Sequence, residues 1–265
     1  MKLKKRLQQQ FWQSLVAQKL KRTLLKNNRQ IPVIIVSYNN GAYVENIVSQ
    51  MNRFDIIPIV IDNKSTHKKS LQILCQLQND QKADIVFSPY NFGHLVGFIG
   101  RIYEALPEVF AYSDPDLELS PDLPHNFLEI LADLTKEFSV YKAGCALSMP
   151  PQSSDNNQAT QFIHRKQKKP FAYPQKPFTP VQWEKQFWRF KIEHPIWEIY
   201  AAKLDTTFAV YRKSNYQYDF LDAVRVAGVF TAVHLPWFPE SDIMCAEDKL
   251  EYFNKNESAT WKNQS

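Results

Sequence analysis

The sequence predicts an α/β fold, a mostly parallel sheet flanked by helices and preceded by a basic helix. Three observations carry that expectation. Short β-branched runs alternate with helical stretches from residue 32 onward. Residues 1–30 hold nine cations and no acid, with neither Gly nor Pro. A composition of 44% hydrophobic and 14% aromatic residues over 265 positions is enough to bury a sizeable core.

The first segment is rich in helix formers, with Leu3, Leu7, Phe11 and Leu15 in one row and Trp12, Val16, Leu20 and Leu24 in a second. Two readings stand for this basic, loosely amphipathic helix. One is peripheral contact with an anionic membrane surface through residues 1–28, each cation contributing about 1 kcal/mol and Phe11 or Trp12 entering the interface. The other is a solvated helix packed on the body or on another subunit. PVIIVS (32–37) then reads as a buried strand and 42–51 as a helix. IIPIVI (56–61) is a second strand, 67–78 a helix, 84–88 a third strand, 94–106 a helix and 109–113 a fourth strand. In a parallel sheet of this kind, ligands bind outside the carboxyl ends of the strands.

Past residue 120 a helix is expected from near Pro124. KAGCALSM (142–149) reads as a strand, 182–190 as an aromatic-rich helix, and 206–212 and 224–228 as strands. Residues 150–180 carry six of the sixteen prolines, which predicts a long loop. From Glu240 the tail is polar.

Charge and composition exclude several classes. Setting the nine N-terminal cations aside leaves 23 cations against 27 acids over residues 31–265, so the body is mildly acidic. A nucleic-acid-binding body is disfavoured, because phosphate neutralisation needs cations on the working face. Six dispersed glycines leave no room for a Gly-rich phosphate loop. Three cysteines without a CxxC pair exclude a disulfide framework and a thiolate zinc site, and fit a reducing compartment. No apolar run is long enough to span a membrane, and the N-terminus lacks a secretory h-region.

The strongest chemical signal is Asp114-Pro115-Asp116, in VFAYSDPDLEL at the end of the fourth strand. Two carboxylates one residue apart at a strand end can turn toward one hard cation, Mg or Mn, whose shell a nucleotide diphosphate completes. A plain Asp-Pro turn is the competing reading.

With IPVIIVSYNN, VIDNKST, NFGHLVGF, AYSDPDL, KLDTTFAVYR and RVAGVFTAVHLPWF in that order, the chain resembles the glycosyltransferases of the GT-A fold, in particular bacterial family 2-like enzymes, over roughly residues 31–240. The resemblance implies a Rossmann-like, mostly parallel sheet. It also implies that Ser37, Tyr38 and Asn39 lie near the base and ribose of a nucleotide-sugar donor. Asp62 is then the acid that accepts a hydrogen bond from uracil, and Asn91 and Gly93 approach the nucleotide. Asp114 and Asp116 hold the metal and the ribose, with Asp116 the direct metal ligand, and His234 is a late metal ligand.

On this basis the chain is organised as a basic helix (1–30), a nucleotide-sugar-binding half (31–120), an acceptor-side half with a lid-like loop at 150–180 (121–240) and a polar tail (241–265). The expected activity is metal-dependent transfer from a nucleotide diphosphate, UDP in the first instance, to a saccharide or lipid-linked saccharide in cell-surface glycan synthesis. The expected location is cytoplasmic, at the inner face of the membrane if the basic helix attaches there. Inversion needs a carboxylate to take the acceptor proton. The acidic pair that the family places before its final helix is missing, which leaves Asp205 as the candidate base, because Glu240 and Asp242 come late. Alternatives are a nucleotidyltransferase, disfavoured because SYNNGAYVEN has no Lys or Arg, and a non-catalytic nucleotide-sugar-binding or scaffold protein. Trp183, Trp188 and Trp197 fit either sugar stacking or core packing. His94 and Arg101 fit a phosphate contact or a solvated helix face.

Overall fold

The computed structural model describes residues 2–27, 30–150, 180–238 and 240–255. A nine-stranded sheet forms the centre. Its strands are β1 (Val33–Ser37), β2 (Ile59–Asp62), β3 (Asp84–Phe87), β4 (Val109–Ser113), β6 (Lys142–Cys145), β7 (Lys191–Ile192), β8 (Ile199–Ala201), β9 (Ala209–Arg212) and β10 (Ala223–Val226). They lie in the order β3-β2-β1-β4-β9-β6-β10-β8-β7. The first four are mutually parallel, and β6 and β10 are parallel to each other. β9 runs antiparallel between β4 and β6, so one sheet continues through both halves of the chain. A separate two-stranded ribbon pairs β5 (Leu117–Glu118) with β11 (Val233–His234).

Period-two alternation sorts the side chains of β1 between two cores. Val33 and Ile35 face a cluster with Val44, Ile47 and Val48 of α2 (Gly41–Asn52), Leu74 of α3 (Lys68–Asn79) and Leu131 of α5 (Phe127–Glu137). Ile34 and Val36 face Val16 and Leu20 of α1 (Lys2–Asn27) and Ile102 of α4 (Gly100–Ala105). That second core continues as a stack of rings, with Phe110 and Tyr211 5.2 Å apart and nearly coplanar at 7°.

Several expectations need correction. Pro58 keeps residues 56–58 out of β2, since it lacks the donor that a central strand needs. The expected helix 94–106 is a short 3-10 turn at Val96–Phe98 followed by α4, because Gly100 takes a left-handed φ of +38°. A Cβ on Gly97 would stand 2.4 Å from the Tyr112 ring, so close ring packing sets that turn. The aromatic-rich helix is only α6 (Pro180–Lys185) plus a 3-10 turn at Gln186–Trp188. The two-residue strands β5, β7 and β11, the three-residue β8, and α7 (Ala246–Lys255) in the polar tail were not expected. Two-residue strands carry no periodic signal. The loop expected at 150–180 lies, save its end residues, outside the described residues.

Helix α1 packs on the body through Val16, Ala17 and Leu20, all buried. Lys19 Nζ donates to the Phe87 carbonyl at 3.1 Å, and Arg101 Nη1 donates to Ser14 Oγ at 2.6 Å. No helix among the described residues is long and apolar enough to cross a membrane.

Candidate active site

At the carboxyl ends of β1 and β2 the chain builds its loops from neutral amides and hydroxyls. Asn39 adopts a left-handed φ of 54°, which Asn tolerates better than most side chains. Its Oδ1 accepts the backbone N–H groups of Thr66 and His67 at 2.7 and 2.9 Å, tying the β1 turn to the start of α3. Asn40 Oδ1 accepts from Ser37 Oγ and from the Tyr38 N–H. A Cβ on Gly41 would meet the Ser70 Cα at 2.6 Å, so glycine permits this close approach of α2 and α3. Ser37 and Asn39 are thus buried braces of the turn, while Asn39 Nδ2 is buried with no hydrogen-bond partner.

Asp62 closes β2 almost fully buried, its carboxylate accepting from Ser65 Oγ at 2.5 Å and the Ser65 N–H at 3.0 Å. Burial pushes its carboxyl above the usual range, and the Ser65 bonds oppose that shift. The adjacent Asn63, which sequence reasoning passed over, organises the next loop. Its Nδ2 donates to Asn91 Oδ1 and the Gly93 carbonyl, both at 2.8 Å, and its Oδ1 accepts the Phe92 N–H. Gly93, at φ +84°, has open space where a Cβ would project. The signal that could have found Asn63 was its place directly after a strand-ending acid, in a segment rich in turn residues.

Beyond β4 the triplet divides. The Asp114 carboxylate accepts a short hydrogen bond from Thr206 Oγ1, and its N–H donates to the Thr206 carbonyl at 3.0 Å. Its carboxyl is pushed well up, first by burial, then by the charges of Asp116 and Asp205, against the Thr206 bond and the Lys142 charge. Asp116 lies on the other side, its Oδ2 3.4 Å from His234 Nε2. Gln50 of α2 fixes the ribbon that carries it, bonding the Leu117 carbonyl and the Leu119 N–H. Leu235 N–H donates to the Asp116 carbonyl, which anchors the far strand.

The pairing of β5 with β11 therefore brings together residues 118 positions apart in the chain, Asp116 and His234. Asp116 Oδ1 and His234 Nδ1 are both buried without a hydrogen-bond partner. A separation of 3.4 Å exceeds a charge-assisted hydrogen bond of about 2.8 Å. It fits two ligands flanking one ion at about 2.1 Å each. The donor set, one carboxylate and one imidazole, suits Mn better than the harder Mg. Among the described residues no group of three His, Cys, Asp or Glu side chains converges as a cation site.

Asp205 is exposed, next to Thr206, and close enough to raise the Asp114 carboxyl. Two buried cations unexpected from sequence pin its segment. Lys142 Nζ donates to the Asp205 carbonyl at 3.0 Å, and Arg225 Nε donates to the Lys203 carbonyl at 2.9 Å. Arg225 is itself paired with fully buried Glu184 at 2.6 Å. Asp242 is occupied by Tyr43 and Lys249 at 2.7 and 2.6 Å, and Glu240 is exposed. Trp183 and Trp197 pack on the main core and Trp188 rests on Tyr200. His94 is exposed, and Arg101 is spent on α1.

Among solved structures, a mannosyltransferase from Pyrobaculum calidifontis, in complex with GDP-Man and Mn2+, is 12% identical, with 78% of this chain and 57% of that one covered and a TM-score of 0.44. TarS of S. aureus is 15% identical, with 69% and 47% covered and a TM-score of 0.37. The chain thus spans about half the length of each of these proteins. No curated protein sequence matches it. The family model described as Glycosyl transferase family 2 matches residues 33–214, from the first residue of β1 to the turn after β9, and the chain belongs to that family.

Proposed function

We propose that the protein is a metal-dependent, inverting glycosyltransferase that moves a sugar from a nucleotide diphosphate donor, UDP-linked in the first instance, to a saccharide or lipid-linked saccharide in cell-surface glycan synthesis. The observation that carries the metal reading is Asp116, with one buried unpartnered oxygen and the other 3.4 Å from His234 Nε2. In this reading Asp116 and His234 hold a divalent cation. When bound, the cation offsets the charge of the departing nucleotide diphosphate. Asp114, braced by Thr206, accepts a ribose hydroxyl. Asp62 accepts the uracil N–H, and the 91–93 turn closes on the nucleotide. Asp205, exposed beside this cluster, takes the proton of the acceptor hydroxyl as it attacks from the face opposite the leaving group.

Donor consumption with UDP-sugars, measured with and without Mn, tests the reading. Asp116→Asn should lower metal-dependent turnover by at least about 10²–10³-fold with an unchanged circular dichroism spectrum. Asp62→Ala should weaken UDP binding by about tenfold through one lost buried contact. Full turnover in Asp116→Asn would remove the metal assignment. A melting-point rise with GDP but not UDP would remove the uracil one.

A further inference from the structure

We propose that the first turns of α1 dock on an anionic lipid bilayer, with the carboxyl ends of the parallel strands facing the same surface. The course of α1 sets this orientation. Lys26 pairs with Asp84 at the start of β3, Lys19 bonds the Phe87 carbonyl at its end, and Ser14 accepts from Arg101 in the first turn of α4. The helix therefore runs antiparallel to the strands. Residues 2–12 continue beyond the edge where Ser37, Asp62 and Asp114 lie, for about 16 Å at the rise of an α-helix.

Among the described side chains of α1, the buried ones belong to the later turns. Val16, Ala17 and Leu20 are buried, whereas Arg6 is exposed and Leu7 and Phe11 are 57% and 60% exposed. Leu7 and Phe11 lie four residues apart on one face, and Phe11 stands edge-on to Trp12 at 5.0 Å. An apolar pair of this kind among cations matches the boundary between headgroups and acyl chains. Charge selects the occupant. The projecting residues 2–12 carry Lys2, Lys4, Lys5 and Arg6 and no acid, while residues 31–265 carry four more acids than cations. An anionic bilayer attracts the projecting end and repels the body, so attachment is through α1 alone. A second copy pairing through the same face of α1 would set cations against cations.

The docking itself is independent of the glycosyl-transfer reading. Its consequence, an acceptor presented at a bilayer, rests on that reading. The test is flotation of the full chain with vesicles of phosphatidylglycerol and phosphatidylcholine in equal parts, against pure phosphatidylcholine. Expected is partitioning at least about tenfold stronger on the anionic vesicles, weakened about tenfold by Leu7→Ser with Phe11→Ser and by added salt. The melting point and its shift with UDP and Mn should be unchanged in that variant.

Orientation is read by energy transfer to a lipid-borne dye. Transfer should be stronger from a label on exposed Cys245, whose segment bonds Tyr43 at the start of α2, than from one on Ser214→Cys at the other end of β9, with the remaining exposed cysteines replaced by serine. Equal partitioning on both vesicles, no partitioning, or an undiminished variant overturns the proposal. So does concentration-dependent self-association that the same variant abolishes without any vesicle binding. Vesicle binding without a UDP shift leaves the docking standing and removes the donor reading.

Discussion

The two halves of the sheet build their loops from different materials. At the ends of β1 and β2 the braces are mostly neutral: Asn39, Asn40 and Asn63 close the turns with amide bonds, and Ser65 caps the one buried acid there, Asp62. Around β6, β9 and β10 they are ionic: Lys142 and Arg225 sit buried beneath the 203–206 segment, and Glu184 lies fully buried against Arg225. Neutral bonds cost little to bury and tolerate a ligand of either charge nearby. Buried ions are costly unless paired, but they fix a segment strongly and place a field under it. The contrast teaches that the loops after β1 and β2 can rely on amide and hydroxyl turns, whereas the loop that carries Asp205 and Thr206 is held from below by buried Lys142 and Arg225.

The comparison breaks most sharply at Arg225. Arg225→Met leaves the buried Glu184 carboxylate without its counter-charge, and should cost about 3–5 kcal/mol in urea unfolding. Adding Glu184→Gln should recover part of that loss, because no uncompensated charge remains. A single variant as stable as wild type would show that the pair contributes nothing to holding α6 on β10.

Lys142 sharpens it through pH. Burial lowers its ammonium from the ordinary 10.5 to about 7, against the attraction of Asp205, Asp219 and Asp222 and with the repulsion of Arg225. Between those two values the unfolded chain holds the proton and the folded chain has released it, so this group makes stability rise with pH. Below about pH 7 the whole penalty of burying the charge is present. Lys142→Met should therefore gain most over wild type near pH 6, with the gain falling by about 1.4 kcal/mol per pH unit above pH 7. A difference that does not vary with pH would show that the lysine is buried without cost. If the ammonium also positions Asp205, kcat in Lys142→Met should fall while the KM for the donor stays put.

The smallest effect belongs to the neutral side. Asn63→Ala removes three hydrogen bonds but strands no charge, and should cost about 1–3 kcal/mol. Its readout is faster hydrogen exchange at Phe92 and Gly93, with weaker nucleotide binding. Unaltered exchange there would separate the 91–93 turn from β2.

The early strands were legible because β1, β2 and β4 are buried on both faces and read as continuous apolar runs. The ribbon of β5 and β11 was not, because two residues are too few for a period to show. His234 was singled out by resemblance, and its matching partner Asp116 by the triplet, yet nothing local announces that they meet. Lys142 was hidden for another reason. In KAGCALSM it stands at the edge of an apolar run, where a lysine ordinarily turns to water.

Composition and local pattern alone determined the helix–strand alternation and the cationic N-terminus over an acidic body. These depend on neighbours a few residues apart, whose preferences survive in any context. Tertiary structure decided the antiparallel placement of β9, the division of Asp114 toward Thr206 and Asp116 toward His234, and the burial of Lys142 and Arg225. Each of those is set by which distant segment comes to lie alongside, and the free energy of burying a charge or sharing a carboxylate is defined only once that neighbour is in place.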